Sequence, residues 1–263
     1  MIKKFLSLEK KSILLALASD MAYKTNFYIK CFALVLADFI GPLMTILIYT
    51  TTLGIPGWTM FEFLFFQGTL ILVFGFGHAF AIVLPYEVID CIRDGEFDQY
   101  LVKPFNTLLY LISRSFELEG LAEMAAGFVI IVYSMIMLKS SIFSFNFLLF
   151  IVLVLVGCMI QIAAMIFISS IAFLAVRSDA LMDLFFKVSD FARYPLSVYS
   201  FGIRFFLTFL FPIGVSSFYP AVVFLKGASF SFLASVLIPS VLFVMFSVIL
   251  WNISMKSYTS AGG

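Results

Sequence analysis

The feature that most constrains this chain is a succession of apolar runs too long for any soluble core. A helix needs about 20 apolar residues to cross the hydrocarbon of a bilayer. Runs of that order cover residues 27–53, 60–84, 120–138, 145–176 and 230–251. The chain as a whole is 63% hydrophobic and 12% charged, against about 45–50% and about 25% in soluble domains. The pattern predicts an all-α, polytopic membrane protein with one transmembrane domain over 1–263.

The start of the chain does not read as a cleaved signal, since it has no continuous apolar centre and no small-residue cleavage site. Ile2, Phe5, Leu6, Ile13 and Leu17 recur at helical spacing, with Lys3, Lys4, Lys10 and Lys11 on the other side. This predicts an interfacial helix over 1–24, lying on an anionic membrane surface. Orientation is set by the basic residues: an inner N-terminus places Lys24, Lys30, Arg93, Lys103, Arg114, Arg177 and Lys256 at cytoplasmic ends. Lys139, Lys226 and Arg204 are then left outside. An even number of spans puts both termini in the cytoplasm, and Trp58 and Trp251, at span ends, are expected at headgroup level. A net charge of +1 gives no nucleic-acid surface. Cys31, Cys91 and Cys158 form neither a disulfide framework nor a metal-spacing motif.

Residues 179–225 are less regular. Asp179, Asp183, Lys187, Asp190 and Arg193 succeed one another at intervals of three or four, one stripe of a helix. Either this is an amphipathic cytoplasmic helix, or it is itself the fifth span with its charges turned from lipid toward a partner helix or an aqueous path. Pro195, Gly202, Arg204, Pro212, Gly214 and Pro220 interrupt the stretch from 195 to 225, which argues for broken, re-entrant helices over 200–225 and favours the second reading. The third span reads as a helix beginning near Thr107, with Glu119 and Glu123 one turn apart and facing protein. Asp38, just before Gly41 and Pro42, is either part of a conduction path or a carboxylate satisfied by a neighbouring helix. His78 lies in a glycine-flanked run that reads as close helix packing, and a lone histidine is poor support for a metal site.

The polar island 85–105 lies between two of the apolar runs. Asp90, Asp94 and Asp98 are spaced by four, so on a helix they would share a face with Glu87 at its edge. Such a face could chelate Mg²⁺ on a lipid diphosphate, the reading as a membrane enzyme. Gly95, Phe97 and Tyr100 instead point to a short helix that breaks and docks, with Lys103-Pro104 as a rigid exit. That is the pattern of a coupling helix seated on a soluble motor. No G-x-x-x-x-G-K-[ST] run is present, so ATP would be held by another chain.

The run from Arg93 to Pro104, RDGEFDQYLVKP, resembles the corresponding stretch of permease subunits in the second ABC-exporter superfamily (ABC-2 type). Arg193-Tyr194-Pro195-Leu196-Ser197-Val198-Tyr199, then Phe211-Pro212 and Phe218-Tyr219-Pro220-Ala221, is similar to that family's tyrosine-proline region, and the ending Tyr258-Thr259-Ser260-Ala261-Gly262-Gly263 to its C-terminus. The resemblance implies six spans, an N-terminal interfacial helix, a coupling helix within 86–105 and re-entrant helices before the last span. It implies an exporter subunit in the plasma membrane without catalysis or cofactor of its own, carrying amphipathic or lipid-linked substrates. Its partners would be a dimer of P-loop ATPase subunits holding ATP and Mg²⁺, a second permease subunit, identical or paralogous, and membrane lipids. Glu87, Asp90, Arg93, Asp94, Gly95, Asp98, Tyr100, Lys103 and Pro104 are then the candidate ATPase contacts. Asp38, Glu123, Asp183, Lys187, Asp190 and Arg193 are candidates for the translocation path or the permease dimer. Pro195, Arg204, Pro212 and Pro220 shape the re-entrant segment. The competing expectation is an ion-coupled secondary carrier using Asp38, Glu123 and the charged stripe.

Overall fold

The computed structural model describes residues 2–174 and 179–259, with side chains from 10 to 174 and from 180 to 259. Arg177, the last four residues of the C-terminal motif, and the side chains of Ile2, Lys3, Lys4, Phe5, Leu6 and Asp179 lie outside that description.

Among the described residues every regular element is helical. The chain runs α1 (Ile2–Ala22), α2 (Lys24–Thr51), α3 (Met60–Ala81), α4 (Val83–Arg93), α5 (Asp98–Leu101), α6 (Thr107–Arg114), α7 (Glu119–Met137) and α8 (Phe145–Ala172). It continues with α9 (Asp179–Asp190), α10 (Phe201–Phe205), α11 (Phe218–Lys226) and α12 (Phe230–Met255). Among the described residues five stretches are long and apolar enough to cross a membrane: Lys24–Thr51, Met60–Arg93, Glu119–Met137, Phe145–Ala172 and Phe230–Met255.

The second of these outruns the expected span. A capping box opens α3, with Thr59 N donating to Glu62 Oε2 at 2.7 Å and Glu62 N to Thr59 Oγ1 at 3.4 Å. The helix then passes into α4 with one break, at Ile82. Pro85 explains the break, because it has no N–H for the Ala81 carbonyl and its ring crowds that oxygen. Ile82 N reaches back to Gly77 O instead, at 3.0 Å. The first half of the polar island is therefore a continuation of a span.

One further expectation is corrected. The helix expected to run from Thr107 is broken at 115–118, where Ser115 Oγ donates to Leu111 O and Glu117 N donates to Ala79 O at 2.9 Å. Trp251, at the end of α12, is 1% exposed and packs edge-on to Phe173 at 5.3 Å. Trp58 is likewise buried, against Phe66, with Lys226 Nζ 5.2 Å from its ring.

The core sits around α8, which touches α3, α4, α11 and α12. Facing it, α3 and α7 form the most intimate pair. A Cβ on Gly75 would lie 2.7 Å from Met124 N, one on Gly68 3.0 Å from Ile131 N, and Cβ atoms on Gly120 and Gly127 would strike the backbone at Ala79 and Leu72. These glycines, seven apart on each helix, let the backbones meet. By contrast α2 lies outside, with Phe32, Leu36 and Leu43 exposed, an apolar surface suited to lipid.

At 12 residues, α9 rises about 18 Å at 1.5 Å per residue, short of the bilayer core. Beyond it the backbone is irregular: 3-10 turns at Phe191–Arg193 and Leu196–Val198, α10, a π turn at Phe206–Leu210 and a 3-10 turn at Ile213–Ser216. Pro195 and Pro212 sit between these pieces. Pro220 lies in the first turn of α11, where a missing N–H is tolerated, and Arg204 is exposed on α10. Side chains satisfy the interrupted backbone: Gln67 Nε2 donates to Arg193 O at 2.6 Å and Ser217 Oγ to Ala192 O at 3.1 Å. Gln161 Nε2 holds Ser216 Oγ at 3.0 Å. Irregular backbone of this kind survives where protein covers it.

Candidate functional site

At the end of α4 the chain turns sharply. Gly95 N donates to Ile92 O at 3.3 Å and Glu96 N to Cys91 O at 2.8 Å, a Schellman pair, with Gly95 at φ +73°. The left-handed turn throws Phe97 back into the bundle. Its ring is 0% exposed and packs edge-on to Phe173 at 5.0 Å and Tyr258 at 5.1 Å.

This geometry corrects the expectation that Asp90, Asp94 and Asp98 share a helix face. Helix α4 stops at Arg93, Asp94 caps it, and Asp98 opens α5 on the far side of the turn. The carboxylate ladder invoked for Mg²⁺ is thus broken by Gly95. On the outer surface Arg93 bridges Asp90 at 2.7 Å and Asp94 at 3.3 Å, all three exposed. The stretch from Asp90 to Asp98 carries four carboxylates and one guanidinium, so the tip is negative.

The remaining residues of the predicted contact set hold the tip together. Tyr100 is buried and donates to Glu87 Oε1 at 2.9 Å, and Arg114 Nε meets the same oxygen at 3.1 Å. Burial and the Glu87 carboxylate push the Tyr100 phenol above its ordinary range. Lys103 Nζ donates to Tyr110 OH at 3.0 Å and lies 4.5 Å from that ring, and its ammonium holds the Tyr110 phenol below the usual value. Pro104 comes next, exposed. The island is a rigid knuckle: α4 and α5 joined by a glycine turn, anchored by Phe97, and tied to α6.

A second polar centre lies inside the bundle. Glu119 and Glu123 are 5% and 6% exposed. Glu123 Oε1 accepts from His78 Nδ1 at 2.7 Å, Glu117 Oε2 lies 3.2 Å from His78 Nε2, and Lys30 Nζ lies 3.2 Å from Glu119 Oε1. Both imidazole nitrogens therefore face carboxylates. Beside this network a cavity of about 410 Å³ is bounded by α2, α3, α7, α8 and α9, and Asp38, His78, Glu123, Asp190 and Arg193 line it. Asp183 and Lys187, on the exposed face of α9, do not. Arg193 Nε pairs with Asp190 Oδ1 at 2.9 Å. Lys30, Glu117 and the pairing of His78 were missed from sequence. The only signal was the i, i+4 placement of Glu119 and Glu123, and nothing local marks His78, 45 residues away from Glu123.

The helical bundle, with its apolar surface and, among the described residues, five membrane-length helices, defines a polytopic membrane protein. Over residues 34–262 the chain matches the family model described as "ABC-2 family transporter protein", and it belongs to that family. No curated protein and no solved structure matches it.

Proposed function

We propose that this chain is a permease subunit of an ATP-driven exporter, with six crossings and both termini in the cytoplasm, working with a separate P-loop ATPase dimer and a second permease. In this reading α9 and the turns after it make the fifth of the six crossings, and the segment from α10 to α11 re-enters from the outer side. ATP and Mg²⁺ belong to the ATPase. The observation that carries the reading is the knuckle. An acidic tip sits directly on a membrane-length helix, 34 residues from Met60 to Arg93, and is locked to the core by Phe97 and to α6 by Tyr100. A push at the tip is transmitted along α3 and, through its glycine contacts, to α7.

The test is co-purification. Asp94→Ala combined with Asp98→Ala is expected to reduce capture of the ATPase and uncouple transport while membrane insertion stays normal. Undiminished capture and transport would remove the knuckle from the motor interface.

A further inference from the structure

We propose that the cavity between α2, α3, α7, α8 and α9 binds the charged end of an amphipathic cation, and that such cations are the substrate class of this permease; the proposal rests on the permease reading above. The volume, about 410 Å³, falls in the range of pockets that enclose small organic ligands.

The charge inventory gives the sign. His78 is held by Glu123 at 2.7 Å and Arg193 by Asp190 at 2.9 Å. That leaves Asp38, whose Oδ2 is shut off from solvent and has no hydrogen-bond partner. Pro42, four residues on, supplies no N–H to the Asp38 main-chain carbonyl. One turn of α2 thus presents a carboxylate and a carbonyl, both acceptors only. Gln67 and Gln161 have their amide nitrogens engaged by Arg193 O and Ser216 Oγ. Asp38 as a whole is half-buried, but a carboxylate oxygen shut off from water without a partner is costly, and a positive group beside it removes that cost. The rest of the wall suits an apolar body: Phe74, Phe185 and Phe186 line the same cavity, and aromatic faces attract cations. The Ser189 hydroxyl, also unpartnered, completes the polar end.

The permease assembled with its ATPase in lipid nanodiscs should be tested with tetraphenylphosphonium and with tetraphenylborate, an anion of the same shape. Equilibrium dialysis is expected to give saturable binding of the cation. Asp38→Asn should weaken it roughly tenfold or more, as loss of a desolvated charge partner does, Asp38→Glu should keep most of it, and tetraphenylborate should not distinguish the variants. Leu34→Trp, which fills the cavity and leaves its charges in place, should also abolish cation binding. No saturable cation binding, equal binding in the wild type and in both Asp38→Asn and Leu34→Trp, or preference for the anion would each overturn the proposal. A protonated, neutral Asp38 would give the equal-binding result. ATPase capture by each preparation separates the two levels: wild type that captures the ATPase but binds no cation loses only this site, whereas wild type that captures no ATPase loses the permease reading.

Discussion

Tyr100 donates to Glu87 Oε1 across 2.9 Å, and the Arg114 guanidinium meets the same oxygen at 3.1 Å, so one carboxylate joins α4, α5 and α6. The Tyr100 phenol is pushed above the ordinary value of 10.0, chiefly by burial and then by Glu87. The folded state therefore keeps a proton that the unfolded chain releases, and stability from this group falls as pH rises past about 10. Tyr100→Phe removes that contribution. Its thermal unfolding temperature should be lower than wild type at pH 7, by the loss of one hydrogen bond to a charged group, about 1.5–3 kcal/mol. The gap should narrow on raising the pH through the tyrosine range, and a constant gap would show that the phenol does not carry the link.

The α3–α7 contact depends on absent side chains. Gly120→Leu or Gly127→Leu would drive carbon into the backbone of the facing helix, at Ala79 or Leu72. A loss of about 3 kcal/mol, the upper part of the usual overpacking range, is expected, seen as a collapse in the yield of monodisperse protein after detergent extraction. Gly202→Ala is the control, since a Cβ there meets nothing within 4 Å. It should be neutral or slightly stabilising, as removal of a helical glycine usually is.

The span count derives from length and hydrophobicity, which are local, and four of the apolar runs begin and end within a few residues of the helices α2, α7, α8 and α12. The knuckle's turn was also legible, because Gly95 at a helix end has few other uses. What the sequence hid was set by partners far along the chain. Pro85 cannot by itself announce whether α4 continues α3, and Glu87 or Tyr100 reads equally well as a docking residue or as an internal strut. The stripe from 179 to 193 was visible, yet of its described charges only Asp190 and Arg193 reach the cavity. Their placement depends on Gln67 holding the Arg193 carbonyl, a contact across 126 positions.

His78 is a second place where partners decide the energetics. It bridges Glu123 and Glu117 at 2.7 and 3.2 Å. His78→Leu leaves Glu123 buried without its partner and should destabilise by about 3–5 kcal/mol. Adding Glu123→Leu should restore much of that loss, because a buried pair replaced as a unit costs little. A thermal-unfolding double-mutant cycle measures this, and simple additivity would mean that the two side chains are not coupled.

On the proposed reading, docking and transmission reside in different side chains of the knuckle, which makes them separable. Asp90 and Asp94 are exposed and contribute little to the fold, since surface ion pairs are worth about 0–1 kcal/mol. Their role would be the contact itself, steered by charge and weakened by salt. Phe97, with 0% exposure, touches Phe173 and Tyr258 and has no surface to offer a partner. Phe97→Ala removes the anchor at a local cost of about 3–5 kcal/mol, and loosens the turn while leaving the acidic tip in place. Asp90→Ala with Asp94→Ala should therefore lower ATPase capture, most clearly at low ionic strength. Phe97→Ala should preserve much of the capture and instead lower the transport obtained per ATP hydrolysed. If the two variants lose capture and transport in the same proportion, the knuckle works as a single docking patch, and rigid anchoring by Phe97 has no separate part in the stroke.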